Sequence, residues 1–276
     1  MEKSILITGC STGIGYDAAK TMRAAGWRVF ASCRKQEDCN LMVREGFESP
    51  RIDYCDVKSI ETGLGEVLSA TEGCIDALFN NGARGLPGAI EDIPTDGLRD
   101  LMESNLIGWH DLTRRVVPIM RDQGYGRIIL CSSVLGYVPM RYRGAYVATK
   151  YALEGWADCL RIELRDTQIY TCLIEPGPIT SALRRNNAAQ FFKWIDWENS
   201  HFAANYRATL VERFDETESS PDAFELPASA VSSKLLKAAT ATRPRARYYV
   251  TAPAYVMGYL RRLLPTVWLD WLIAKG

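Results

Sequence analysis

Short apolar runs alternate with longer helix-periodic stretches from the first residues of this 276-residue chain, and that alternation leaves few ways to fold. SILIT (4–8), WRVFAS (27–32), IDALFN (75–80), GRIILCS (126–132) and IYTCLIE (169–175) read as strands, and ESPRIDYCDV (48–57) adds another. Helical periodicity falls between them, over 13–25, 36–45, 58–71, 95–123 and 145–165. Strands that are apolar almost without interruption must be covered on both faces, which a parallel sheet wrapped by crossover helices provides. The expected fold class is α/β, a doubly wound parallel sheet with helices on both faces. The rhythm breaks over 181–226, which is aromatic-rich (Phe191, Phe192, Trp194, Trp197, Phe202, Tyr206) and ends in the acidic DETESSPD. A helix over 227–240 and a last strand over 246–250 follow. With no repeat and no long linker, residues 1–276 form a single domain, with a core over 3–180 and a C-terminal helical extension over 252–276.

Composition narrows the function classes. Lys plus Arg and Asp plus Glu both total 33, so no net field favours nucleic acid or anionic lipid. Eight cysteines lie scattered without a C-x-x-C pair, and His110 and His201 are the only histidines. Zinc-ligand spacing is therefore absent, and no metal is expected. Buried thiols in a reducing cytosol suit a chain of this size better than disulfides. The N-terminus does not read as a signal peptide, and no run of about 18 apolar residues is present. A cytoplasmic location is expected.

ILITGCSTGIG places Gly9, Gly13 and Gly15 directly after the first strand and at the mouth of a helix. Glycines there let the backbone turn tightly and let an anion approach the helix N-terminus, where free N–H groups and the helix dipole favour it. The spacing is G-x-x-x-G-x-G, not G-x-G-x-x-G, so nucleotide binding competes with a merely tight turn. The same residues contain Gly9-Cys10-Ser11-Thr12-Gly13, formally the nucleophile elbow of an α/β serine hydrolase. That reading needs a downstream acid and then a histidine, and its elbow would come early in the chain. A P-loop is excluded because no G-K-[ST] follows.

Taken together, TGCSTGIG (8–15), NNGA (80–83), SNLIG (104–108), SSVLG (132–136), YVATK (146–150) and EPGPITS (175–181) resemble the short-chain dehydrogenase/reductases in order and spacing. The resemblance covers roughly 3 to 182 and implies a Rossmann-like fold binding a nicotinamide cofactor. It implies Tyr146 as general acid/base, with Ser133 holding the substrate oxygen and Ser132 an inert neighbour. Lys150, one helical turn from Tyr146, would orient the nicotinamide ribose and lower the tyrosine pKa from its usual value of about 10. Asn105 would position a water on Lys150, or simply satisfy the core as a buried amide. The glycine turn (Gly9, Ser11, Thr12, Gly13, Ile14, Gly15), Asn81 and Gly82, and Pro176, Gly177 and Ile179 with Thr180 or Ser181 would line the cofactor. A nucleotide-sensing protein without catalysis is the alternative on this fold, though it needs no intact Ser133–Tyr146–Lys150 set. The three-residue gap between Tyr146 and Lys150 favours carbonyl/alcohol chemistry over enoyl reduction.

NAD-selective members carry an acid at the end of the second strand. Here Cys33 holds that position and Arg34 follows, so a 2′-phosphate meets a guanidinium and no carboxylate. NADP(H) is the expected cofactor, with Lys35 in support; the alternative is a solvated basic pair. Asp56 is expected beside the adenine, or as a helix cap. In NNGA the last two residues are exchanged relative to the usual Asn-Asn-Ala-Gly, which leaves the loop geometry open. Residues 181–226 lie where the family keeps a substrate lid. Its aromatics would line a pocket for a bulky apolar carbonyl or alcohol of steroid, retinoid or lipid-like type, or pack inward on the core. In the C-terminal extension, Val256, Leu260, Leu263, Leu264, Val267 and Trp271 fall near one face and Pro265 interrupts the helix. That extension would cover the substrate mouth, bury against a subunit, or lie on a membrane surface. A homodimer or homotetramer through the helices over 95–123 and 145–165 is expected from the resemblance.

Overall fold

A computed structural model describes residues 2–180, 183–215 and 223–275. Six parallel strands form one sheet in the order β2-β1-β3-β4-β5-β6. They are β1 (Ser4–Ile7), β2 (Arg28–Ala31), β3 (Ala77–Asn80), β4 (Gly126–Cys131), β5 (Ile169–Glu175) and β6 (Arg247–Tyr249). The β4–β5 pair is the longest ladder, running from Gly126 opposite Ile169 to Cys131 opposite Ile174. Every residue of β1 and β3 is buried, as strands covered on both faces require. The sheet core includes Ile5, Ile7, Leu78, Phe79, Ile129 and Ile174, all inaccessible to solvent. Burial of each large apolar side chain contributes about 1.5–3 kcal/mol.

The helices α1 (Gly13–Ala24), α2 (Gln36–Arg44), α3 (Val57–Ala70), α4 (Thr95–Met102), α5 (Gly108–Gln123) and α6 (Gly144–Glu163) connect the strands. The single helix expected over 95–123 is divided: a π-helical turn over Glu103–Ile107 separates α4 from α5. The strand expected over 48–57 shrinks to two isolated bridges, Phe30 with Glu48 and Cys33 with Arg51. Pro50, between those bridges, has no N–H to donate to a ladder.

The irregular stretch folds as α7 (Leu183–Trp194), a 3₁₀ turn over Trp197–Asn199, α8 (Ala203–Tyr206), a π-helical turn over Arg207–Val211, and α9 (Glu212–Asp215). Most of DETESSPD lies outside the described residues. The chain then forms α10 (Ser229–Thr240), β6, α11 (Ala252–Leu263) and α12 (Thr266–Lys275), with the break at Pro265 that the sequence led us to expect. All eight cysteines are free thiols, and no cluster that would hold a metal occurs among the described residues.

The strand order reverses between β1 and β3, and in open α/β sheets that is where a crevice opens beyond the carboxyl ends of the strands. A cavity of about 510 Å³ lies at those strand ends.

Candidate active site

The cavity's first wall is the turn after β1. Gly9 has φ +70°, and a Cβ there would sit 2.6 Å from the Gly82 Cα. A Cβ on Gly15 would lie 2.2 Å from the Gly9 carbonyl oxygen, so Gly15 lets α1 close onto the turn and does not itself line the cavity. Ser11, Thr12, Gly13 and Ile14 do line it. The Thr12 side chain makes no capping hydrogen bond, and the first turn of α1 carries no acid. That helix end thus presents N–H groups toward the cavity with no carboxylate in its own first turn, which suits an anionic pyrophosphate.

The NNGA turn is clamped beneath. Thr8 Oγ1 accepts hydrogen bonds from the Asn81 and Gly82 backbone N–H groups at 3.0 and 3.2 Å, and Asn81 Nδ2 donates to the Thr8 carbonyl at 3.0 Å. Tyr54 bonds both the Thr8 hydroxyl at 2.7 Å and Asn80 Oδ1 at 2.6 Å. A methyl on Gly82 would meet Gly9 at 3.4 Å, van der Waals contact, so this corner accepts either order of the exchanged small residues.

The opposite wall carries Ser133, Tyr146 and Lys150, all lining the cavity. Ser133 ends β4 and caps the 3₁₀ turn over Val134–Gly136, its Oγ accepting from Leu135 N at 3.1 Å. Tyr146 and Lys150 share a face of α6. Lys150 is buried; its Nζ donates to the Cys131 carbonyl at 2.8 Å and lies 4.5 Å from the Trp109 ring centroid. Trp109 is fixed by its own Nε1 bond to the Gly82 carbonyl at 2.9 Å. Burial lowers the Lys150 pKa from 10.5 to about 8, with Cys131 and Glu154 opposing. The Tyr146 pKa moves opposite to the sequence-based expectation. Burial pushes the phenol up, Cys131 adds to this, and only the hydrogen bond with Ser133 draws it down. Low-dielectric surroundings here outweigh the hydrogen bond that favours the phenolate.

Arg34 and Lys35 line the cavity rim and are exposed. Cys33, at the place of the NAD-selective acid, is a buried thiol with its pKa pushed up to about 12 by burial, so it offers no charge. Asp56 is not on the wall. Its side chain caps α3 by accepting from Ser59 N at 3.1 Å and faces Arg51 at 3.4 Å. Asp53 lines the cavity instead. The bridge from Cys33 to Arg51 holds 52–54 against the sheet end, and the chain has turned into α3 by residue 56.

Asn105 sits in the π turn, wholly buried and off the wall. Its Oδ1 accepts from Arg84 N at 2.9 Å and from Ser104 Oγ at 3.1 Å. Its Nδ2 donates to the Arg84 carbonyl at 2.7 Å and to Thr149 Oγ1 at 3.3 Å. The amide is fully engaged in pinning the loop after NNGA to α6 beside Lys150, and makes no hydrogen bond to the lysine. Pro176, Gly177 and Ile179 line the cavity. Thr180 is exposed and bonds Leu226 through its backbone at 3.0 Å, and Ser181 lies outside the described residues.

Most of the lid's aromatics turn inward, while Phe192 is exposed. Phe191 and Tyr206 are inaccessible, and with Leu86, Leu101, Ala145, Ile195 and Leu210 they build a second core against which Tyr142, Trp194, Trp197 and Phe202 pack. Among the described side chains of α7, Asn186, Ala189 and Gln190 reach the cavity. The sequence reading also missed Arg84, paired with Asp100 at 3.1 Å, and Asp38, both on the wall. A helix-wheel count on α7 could have found Asn186 and Gln190, one turn apart on a face that Phe191 and Phe192 leave free and that Trp194 shares, its Nε1 donating to Gln190 Oε1 at 3.3 Å.

Comparison with known proteins follows the same lines. The family model for short chain dehydrogenases matches residues 3–190. An uncharacterized oxidoreductase, YbbO, from Escherichia coli (strain K12) is 38% identical over 96% of this chain and 91% of its own. Human retinol dehydrogenase 8 is 30% identical over 72% of this chain and 68% of its own. Among solved structures, a short chain dehydrogenase/reductase from Burkholderia phymatum in complex with NAD superposes with a TM-score of 0.77 at 20% identity, over 95% of this chain and 92% of that one. An actinorhodin polyketide ketoreductase with NADPH superposes with a TM-score of 0.76 at 24% identity, over 92% and 97% of the two chains.

Proposed function

The chain belongs to the short-chain dehydrogenase/reductases, and from that premise we propose that it uses NADP(H) to interconvert a carbonyl and an alcohol on a bulky, apolar substrate. Membership itself carries the coarser statement: an oxidoreductase acting on alcohol or carbonyl with a nicotinamide cofactor. The observation that supports the reading best is that Ser133, Tyr146 and Lys150 share one cavity with the glycine turn. The nicotinamide, when bound, supplies or accepts the hydride. Tyr146 gives its phenolic proton to the carbonyl oxygen during reduction and takes it back during oxidation. Ser133 donates a hydrogen bond to the same oxygen. Lys150 stabilises the phenolate left behind; its charge is held beside Tyr146 by the Cys131 carbonyl and the Trp109 ring. Asn105 is a positioning residue, holding the Arg84 loop against α6.

The preference for NADP(H) rests on Arg34 and Lys35 at the rim and on the uncharged Cys33. Arg34→Ala should raise KM for NADPH about 10- to 100-fold, the worth of a hydrogen bond between charged groups, and leave NADH little changed. Equal losses with both nucleotides would return the arginine to the solvated surface. Substrate class rests on the kinship with a retinol dehydrogenase. Nucleotide consumption with steroid, retinoid, long-chain aldehyde and aromatic ketone substrates tests it. Turnover confined to sugars or small hydroxy acids would overturn it.

A further inference from the structure

The C-terminal pair of helices exposes an unusual concentration of large apolar side chains. α11 is seated on the body through Ala254 and Gly258, both inaccessible or nearly so. Its free face carries Tyr255, Val256, Tyr259 and Leu263, the last 76% exposed. Beyond Pro265, α12 is seated through Leu269, and its free face continues the stripe with Val267 and Trp268, 75% and 64% exposed. Monomeric proteins rarely leave so many large apolar groups contiguous in water.

Charge decides what such a face suits. The whole chain is balanced at 33 basic and 33 acidic residues. The segment 252–276 instead carries Arg261, Arg262 and Lys275 against the single acid Asp270. Lys234 joins the same face from α10, with its Nζ 3.3 Å from the Tyr255 hydroxyl. An apolar stripe with aromatic rings and a basic fringe is the pattern of a helix lying in a lipid interface. Neither helix is long and apolar enough to cross a bilayer, and no such helix occurs among the described residues.

We propose that α11 and α12 dock this protein on the surface of an anionic membrane, with the stripe through Tyr259, Leu263, Val267 and Trp268 in the acyl boundary and Arg262 and Lys234 at the headgroups. The seated side of α11, opposite in role to the exposed stripe, packs behind the cavity wall. Thr251, which caps α11, would touch a Cβ placed on the cavity-lining Gly177, and Tyr137, just past Ser133, donates to the Ala254 carbonyl at 2.8 Å. The inference stands on surface chemistry alone, independent of the proposed oxidoreductase activity.

Vesicle flotation of the full chain tests it, with phosphatidylcholine vesicles containing phosphatidylglycerol and with pure phosphatidylcholine. The wild type should float with the anionic vesicles and at least tenfold less with the neutral ones. The double variant Leu263→Glu/Trp268→Glu, at positions already in water, should lose flotation while keeping the wild-type mass by light scattering. Lys234→Gln should weaken anionic binding about fivefold, the usual effect of one basic residue at such a surface. Three outcomes overturn the proposal: absence of wild-type flotation, flotation unaffected by the double substitution, or a mass that falls by half in the double variant, which assigns the face to a second copy of the chain.

Discussion

The floor and the roof of the cavity are built by different means. The floor comes from strand ends, where register fixes each side chain: Ser133 follows β4, Pro176 follows β5, and the glycine turn follows β1. The roof comes from α7 to α9, where rings pack edge-on. Phe191 meets Tyr206 at 5.4 Å, and Tyr206 meets Tyr142 at 5.3 Å. A polar anchor ties this cluster down, since the Tyr206 hydroxyl accepts from Ala89 N at 2.7 Å and donates to Asp92. A sheet end delivers chemistry at fixed points. An aromatic roof delivers shape, and only its polar edge reaches the cavity.

Tyr146 belongs to both, lining the cavity and packing against the roof cluster. Tyr146→Phe keeps the ring and removes the proton. Turnover should fall about 10²- to 10⁴-fold with nucleotide binding unchanged. A calorimetric nucleotide titration beside steady-state rates checks this, and unchanged turnover would remove the general-acid role from the floor. The next effect concerns the roof alone. Phe191→Ala should cost about 3–5 kcal/mol through the cavity it leaves. If the roof is a separable cluster, hydrogen exchange should accelerate in α7 and α8 and leave β1, β3 and β4 protected. A uniform loss of protection would merge the two regions into one cooperative unit.

The smallest effect distinguishes the floor by its titration. Lys150 has its pKa depressed from 10.5 to about 8, so the ammonium prevails below that pH and is lost above it. Reductive kcat/KM should therefore decline about tenfold per pH unit above 8. Stability runs in the other direction. The unfolded chain binds the extra proton between about 8 and 10.5, so the lysine's contribution is present above that window and is lost as pH falls through 8. Lys150→Met should abolish both dependences, as paired pH–rate profiles and thermal melts would reveal.

Local backbone demands made much of this protein legible in its residues alone. Strand–helix alternation required a parallel sheet, and Gly9 and Gly15 marked a turn where backbones approach too closely for a Cβ. The four-residue spacing of Tyr146 and Lys150 placed both on one helix face. Directions and environments were decided only by tertiary packing. Asp53 and Asp56 are three residues apart and chemically identical, yet one faces the cavity and the other caps α3. Asn105 turned out to clamp Arg84 and Thr149, and the lid's rings turned from the cavity into a core of their own. The Tyr146 phenol became harder to ionise because burial outweighed its hydrogen bond with Ser133. Each of these depends on which distant segment supplies a side chain's surroundings, and spacing along the chain does not encode the dielectric or the partners that folding brings.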